Sequence, residues 1–279
     1  MPMTRTPILI TGCQRSGTTL MNLILDSHPD VRGIDEMVFF FPALQRYLNE
    51  PLPQAKSFVS FKLPMYAHML AFIRMLPDCK VLWCIRDPMD VVASMEKLRS
   101  KTGNVIPWSA HANGGWGEIV NSYWALEDKQ KQELREVMTT FSNVTGKLDQ
   151  LTKAQGTELQ IDSRDSVFLG ALCWRIKNEL LSLYEALDID FYLVRYEQLV
   201  MDPQEGIASI LDYLKLPWSD AVLSHHQHHS GMSIGDTSNS RAIDRASLGR
   251  GKKDLSPEEQ IIVKAVCGKI AERLGYAFD

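Results

Sequence analysis

Apolar and polar residues follow two rhythms along this chain. Four short runs are almost wholly apolar or β-branched: residues 8–11 (ILIT), 58–61 (FVSF), 80–85 (KVLWCI) and 191–194 (FYLV). Runs this short, bounded by Gly, Lys-Leu-Pro or Asp, predict strands, and the near-continuous apolarity of 80–85 predicts a strand covered on both faces. Between the runs, apolar residues recur at helical spacing over 17–25, 37–48, 65–75, 166–187, about 204–216 and 257–274. Another helix start is marked by Asp87 as N-cap, Pro88 in the first helical position and Asp90 in the first turn, and Ser256-Pro257-Glu258-Glu259 carries the spacing of a capping box. Strands alternating with helices predict an α/β fold: a P-loop-like three-layer arrangement, a small parallel sheet flanked by helices on both faces. With no internal repeat and no Pro- or Ser-rich linker, residues 1–279 read as one domain. Residues 100–165 read as a helical insertion, a lid or a homodimer arm without chemistry of its own: 118–155 is heavily charged and broken near 143–146.

The junction of the first strand and first helix, ITGCQRSGTTL, holds the candidate chemistry. A helix start exposes unpaired N–H groups and the positive end of its dipole, which suits an anion. Gly12 and Gly17 keep Cβ atoms away, and Thr18 and Thr19 add hydroxyls. The spacing is that of a nucleotide phosphate loop, Gly, four residues, Gly. An ATP- or GTP-binding loop would continue with Lys, where this chain has Thr18, and the cation sits instead at Arg15 inside the loop. That substitution removes the usual lysine for a γ-phosphate and points to a different phosphoryl-like ligand.

Composition narrows the partners. A net charge of −4, from 30 Lys and Arg against 34 Asp and Glu, gives no reason to expect nucleic acid or an anionic membrane as partner, so anion binding has to be local. The sequence enters its first strand within about seven residues and has no run of about 18 apolar residues, so no membrane span and a cytoplasmic location are expected. Cysteines 13, 79, 84, 173 and 267 form no CxxC pair, which fits reduced thiols buried as small hydrophobes. Four histidines within 225–229 lack the Cys or carboxylate partners of a metal site and read as a polar surface loop; no metal is expected.

QRSGTT, taken with LDSHPDVR and the acidic pair Asp35 and Glu36, resembles the 5′-phosphosulfate loop of sulfotransferases, nearest to the tyrosylprotein sulfotransferase branch. The resemblance implies a donor, 3′-phosphoadenosine 5′-phosphosulfate (PAPS), bound at the loop by Arg15, Ser16, Gly17, Thr18 and Thr19 and released as 3′-phosphoadenosine 5′-phosphate (PAP). It also implies Glu36 as the base for the acceptor hydroxyl and Lys62, before Leu63-Pro64, as a transition-state cation beside Arg15. Arg86 and Ser94 would grip the 3′-phosphate, and Tyr196, in the run Tyr-Glu-Gln-Leu, would contact the adenosine. Where the branch has a further Arg this chain has Leu98, for which Lys97 or Arg99 is the substitute. Residues 230–253, long and without periodicity, match a loop that folds over the nucleotide, with Arg250 as phosphate cation and Ser240 as a transition-state donor.

The implied activity is in-line sulfonate transfer to an acceptor hydroxyl, on a tyrosine or other phenol, a sugar or a small metabolite. The rival readings are a phosphate-loop kinase or NTPase, and a nucleotide-binding protein without catalysis. Exposed aromatics at Trp108 and Trp116, in a 103–117 loop, are candidates to meet the acceptor.

Overall fold

A computed structural model of the chain describes residues 5–35, 56–74, 76, 78–102, 115–140, 163–233 and 237–278. They gather into two compact units: one from residues 1–12, 16–86 and 184–246, the other from 13–15, 87–183 and 247–279.

The first unit is built on the predicted strands, β1 (Thr6–Gly12), β3 (Phe58–Lys62), β4 (Lys80–Ile85) and β5 (Phe191–Arg195), and adds a fifth, β2 (Val31–Ile34). All pair in parallel, in the order β2-β3-β1-β4-β5. Helix α1 (Thr18–Asp26) leads from β1 to the far edge of the sheet, and β4 then pairs on the opposite side of β1. That reversal puts the carboxyl end of β1 at a switch point, where open parallel sheets bind ligands. Gly12 ends β1 at φ 121, and a Cβ there would lie 2.2 Å from the Cys84 carbonyl oxygen, so the close approach of β1 to β4 excludes every other residue.

One face of the sheet buries Ile8, Ile10, Leu82 and Val194 against Met21, Ile24 and Leu25 of α1. Leu199 of α8 (Tyr196–Met201) and Ile207, Ile210 and Leu211 of α9 (Pro203–Leu214) complete this core. Each such side chain contributes about 1.5–3 kcal/mol by leaving water. In the same unit Trp83 packs edge-on to Tyr184, whose hydroxyl donates to the Ala67 carbonyl at 2.8 Å.

Strand β2 falls just before the acidic pair Asp35 and Glu36, where the sequence predicts no strand. The segment VRGI, with Arg32 exposed, is too short and too polar for the apolar pattern. Its place is set by a distant group: the Gly33 amide donates to Asp26 Oδ1 at 2.6 Å, and a Cβ on Gly33 would meet the Asp26 side chain. The helix expected over 65–75 is instead a single 3₁₀ turn, Pro64–Tyr66, and a short helix α2 (Leu70–Arg74).

The second unit is helical. It holds α3 (Pro88–Thr102), α4 (Gly115–Ala125), α5 (Asp128–Thr140), α6 (Ser163–Glu179), the four-residue α10 (Gly251–Asp254) and α11 (Pro257–Arg273). α6 packs against both α3 and α11. A Cβ on Gly170 would lie 3.3 Å from Met95 Sδ and 3.5 Å from Val92 Cγ1 of α3, and Arg175 of α6 donates to the Val266 carbonyl of α11 at 3.1 Å. The charged stretch expected to be helical over 118–155 is in fact broken after residue 125, where buried Leu126 precedes α5. Trp116, expected in a loop, lies in α4; Trp108 and residues 141–162 lie outside the described residues. Helix α7 (Leu181–Ala186) closes the segment expected as one helix over 166–187.

Candidate active site

In the first unit, α1 begins at Thr18 with Gly17 as its N-cap, at φ 92, and has neither a side-chain cap nor an acidic residue in its first turn. The helix's own side chains therefore leave its positive end unneutralised. Ser16, just before it, is buried, and its hydroxyl has no hydrogen-bond partner among the described residues. A buried hydroxyl without a partner costs about 1–3 kcal/mol, a cost relieved when a ligand supplies the missing bond.

Gly17 answers to a second constraint. A Cβ there would lie 2.6 Å from the Tyr196 ring, so the loop and the first residue of α8 fit together only because residue 17 has no side chain. The Arg86 guanidinium stands 4.3 Å from the centre of the same ring. Arg86 is 6% exposed, and a desolvated cation over an aromatic face gains about 2 kcal/mol while keeping its plane fixed.

Lys62 ends β3 at the same sheet edge and is 1% exposed. Its ammonium lies 3.2 Å from Thr19 Oγ1 and 2.9 Å from Asp35 Oδ1. A charge buried this fully needs partners of that kind. Asp35 is therefore a member of the site that sequence reading used only as a neighbour of Glu36. Glu36 itself lies outside the described residues. Ser240 sits exposed in a turn, its hydroxyl 3.4 Å from that of Ser238. The 230–253 segment is not without structure: Met232–Ser233 and Thr237–Ser238 pair as a short antiparallel ribbon, β6 and β7.

The second unit contains Arg15, Ser94 and Arg250. Arg15 adopts a left-handed φ of 68, which is strained for a residue with a side chain, and its Nε donates to Ser94 Oγ at 3.0 Å. The sequence had assigned these two residues to different phosphates, and the fold joins them. Arg250 Nη2 lies 2.9 Å from Asp254, in a pair about two-fifths exposed. Arg99, the substitute considered for Leu98, is engaged with Glu96 at 2.9 Å, and Leu98 is buried.

The remaining motif residues brace the first unit. The Asp30 amide donates to His28 Nδ1 at 3.1 Å and His28 Nε2 faces the Pro217 carbonyl at 2.8 Å, an arrangement that only the neutral ring protonated on Nε2 satisfies. His229 reaches the Leu23 carbonyl at 3.1 Å. The histidine run is the polar surface loop expected only in part: His228 is exposed, but His225 is fully buried, and burial together with the charges of His226 and His229 pushes its pKa down to about 4. Among the described residues no group of three or more His, Cys, Asp or Glu side chains is placed to hold a metal ion, and no helix is long and apolar enough to cross a membrane.

A family model described as Sulfotransferase domain matches residues 5–260. The chain belongs to the sulfotransferase family. It is an enzyme of sulfonate transfer that stands near the tyrosylprotein branch. It is 25% identical over 290 residues to protein-tyrosine sulfotransferase 1 of Danio rerio, covering 96% of this chain and 72% of that protein. To the protein-tyrosine sulfotransferase of Drosophila melanogaster it is 23% identical over 257 residues, covering 79% of this chain and 40% of the fly protein. Among solved structures, the sulfotransferase domain of the curacin biosynthetic pathway aligns at a TM-score of 0.58 and 18% identity, over 99% of this chain and all of that one. A mouse sulfotransferase complexed with PAP aligns at 0.50 and 13%, over 96% of this chain and 85% of that one. These structural likenesses show a shared sulfotransferase fold.

Proposed function

We propose that this sulfotransferase moves the sulfonate of PAPS to an acceptor hydroxyl by in-line displacement, with a tyrosine or another phenol as the first acceptor class to test. The observation that carries this is Lys62: a lysine buried at a strand's carboxyl end, its ammonium held by Thr19 of the loop helix and by Asp35, is built to meet negative charge. The residues fit the donor. Ser16 has a buried hydroxyl to offer, Gly17 cannot carry a Cβ, and α1 presents an uncapped start. The donor, when bound, supplies the sulfonate and a phosphate leaving group.

Arg15 and Lys62 offset charge that builds at the transferring group and at the leaving oxygen; one such preorganised donor is worth about 3 kcal/mol in mutagenesis. Asp35 is committed to Lys62, so of the acidic pair it is Glu36, next in the chain, that takes the acceptor proton. Tyr196 holds Arg86 in the plane it offers to the 3′-phosphate, and Ser94, which already accepts from Arg15, adds a hydroxyl. Thr18 and Thr19 add hydroxyls at the loop, Arg250 meets a phosphate, and Ser240 donates to the transferring group. The names of the fish and fly relatives support a tyrosine acceptor, and the mouse sulfotransferase, solved in complex with PAP, supports PAP as the product retained.

Differential scanning calorimetry with PAP in the absence of magnesium tests the donor. A rise in Tm with PAP, and none with magnesium-ATP, is expected; a response to magnesium-ATP alone overturns the proposal in favour of a kinase. Glu36→Gln should abolish sulfonation and leave PAP binding intact, and an active E36Q removes Glu36 from the mechanism.

A further inference from the structure

In the second unit the turn that bears Arg250 is held by one carboxylate. Asp90, in the first turn of α3, is 3% exposed; its Oδ2 accepts the Gly249 amide at 2.9 Å and its Oδ1 the Gly251 amide at 2.7 Å. The two amides lie on either side of Arg250 and are 159 and 161 residues from Asp90 in sequence. Sequence reading gave Asp90 only a favourable charge at a helix start. Both of its oxygens are engaged elsewhere, and a buried carboxylate is tolerated when charge-assisted bonds replace its water.

Two further features fit this. A Cβ on Gly251 would lie 2.3 Å from the carbonyl carbon of Met89, so α10 starts flush against the backbone beside Asp90. Gly249 adopts φ 62 with nothing within 4 Å of a Cβ, so its glycine serves the turn's conformation. The fork of a carboxylate matches two amides with one residue between them. Asparagine cannot replace it, since its amide group would face an N–H with another N–H.

We propose that Asp90 is the positioning residue for Arg250, fixing the backbone from which the guanidinium reaches a phosphate of the donor before any donor binds. This rests on the reading of Arg250 as a phosphate contact. Asp90 touches neither donor nor acceptor and acts through the turn.

A double-mutant cycle on the full chain tests it, with PAP affinity by titration calorimetry and PAPS kinetics as readouts. Asp90→Asn is expected to weaken PAP by about tenfold or more and to raise the KM for PAPS by a similar factor, while kcat stays within about threefold. In an Arg250→Ala background the same substitution is expected to add less than about threefold, because the residue it positions is gone. A folded D90N that binds PAP like the wild type overturns the proposal, as does a loss that persists in full alongside R250A, which marks a purely structural carboxylate. Hydrogen exchange on the wild type gives an independent reading: the Gly249 and Gly251 amides should be protected without PAP and unchanged by it, and fast exchange that slows only with PAP overturns the proposal even if D90N does not fold. Wild-type protein that ignores PAP fails both the function and this inference, whereas PAP binding indifferent to R250A fails the inference alone.

Discussion

Residues 12–19 and residues 249–254 are each proposed to meet an anion, and they are built by opposite means. The first stretch is consecutive: a strand end, two glycines, an arginine and a helix start, each within a few residues of the next. The second is a turn and a four-residue helix without a side-chain cap, held by a carboxylate about 160 residues away in the chain. Ordering a contiguous loop after a strand fixes few additional dihedrals, while docking a turn onto a distant helix requires the long closure to be complete first. The first stretch thus announces itself in the sequence, whereas the carboxylate that holds the second becomes visible only once folded.

The same glycine-to-alanine change in each stretch breaks or sharpens this contrast. Gly12→Ala puts a Cβ into backbone, 2.2 Å from the Cys84 oxygen at φ 121, so no rotamer can relieve it. A loss of about 4 kcal/mol or more is expected, seen as insoluble protein or an early urea midpoint. A Tm within a few degrees of wild type would mean that β1 and β4 are not packed as described. Gly249→Ala meets no atom and bears only the left-handed backbone, so about 1 kcal/mol is expected in the same assay.

Next in size is Lys62→Met, which keeps the volume and removes the cation. A fall of about 10² to 10³ in kcat is expected, with PAP binding weakened much less, since the charge matters most when the leaving oxygen develops its own. An equal loss in both readouts would assign Lys62 to ground-state binding.

Acid should then weaken the turn that braces α1. His225 has its folded pKa lowered to about 4 from 6.5 by burial, so the unfolded chain takes up the proton first as pH falls. The stability contributed by the neutral ring is fully present above pH 6.5 and is lost progressively between 6.5 and about 4. The shift corresponds to roughly 3 kcal/mol at most, about 2 of it gone by pH 5. Urea unfolding at pH 7.5 and pH 5 measures this, and His225→Gln should shrink the difference between the two.

What was legible in the sequence divides along the same line. The four apolar strands, the glycine spacing of the loop and the capped helix starts depend on neighbours within four residues. The structure bears them out: Asp87 Oδ1 accepts the Met89 amide at 2.7 Å, and Ser256 forms a reciprocal capping box with Glu259. Strand β2 escaped notice because its edge position is set by Asp26 and by pairing with β3, not by its own polar residues. The burial of His225, the Asp35–Lys62 pair and the Arg15–Ser94 bond escaped for the same reason: each joins residues whose separation in sequence carries no period. The LDSHP segment, used only as a family mark, turned out to hold the turn after α1 through Asp26 and His28.

The smallest expected effect bears on the second stretch alone. Asp254 pairs with Arg250 at 2.9 Å, but both side chains are about two-fifths exposed, and ion pairs of that kind are worth about 0–1 kcal/mol. Asp90, by contrast, is buried and accepts two amides, so the two carboxylates near Arg250 should differ in sign as well as in size. Asp254→Asn frees the guanidinium from a competing anion, and PAP should bind up to about fivefold tighter, an advantage that fades in high salt. If D254N instead weakens PAP tenfold, the turn is held by its own short helix and not by the distant carboxylate, and the contrast between the two stretches fails at its second member.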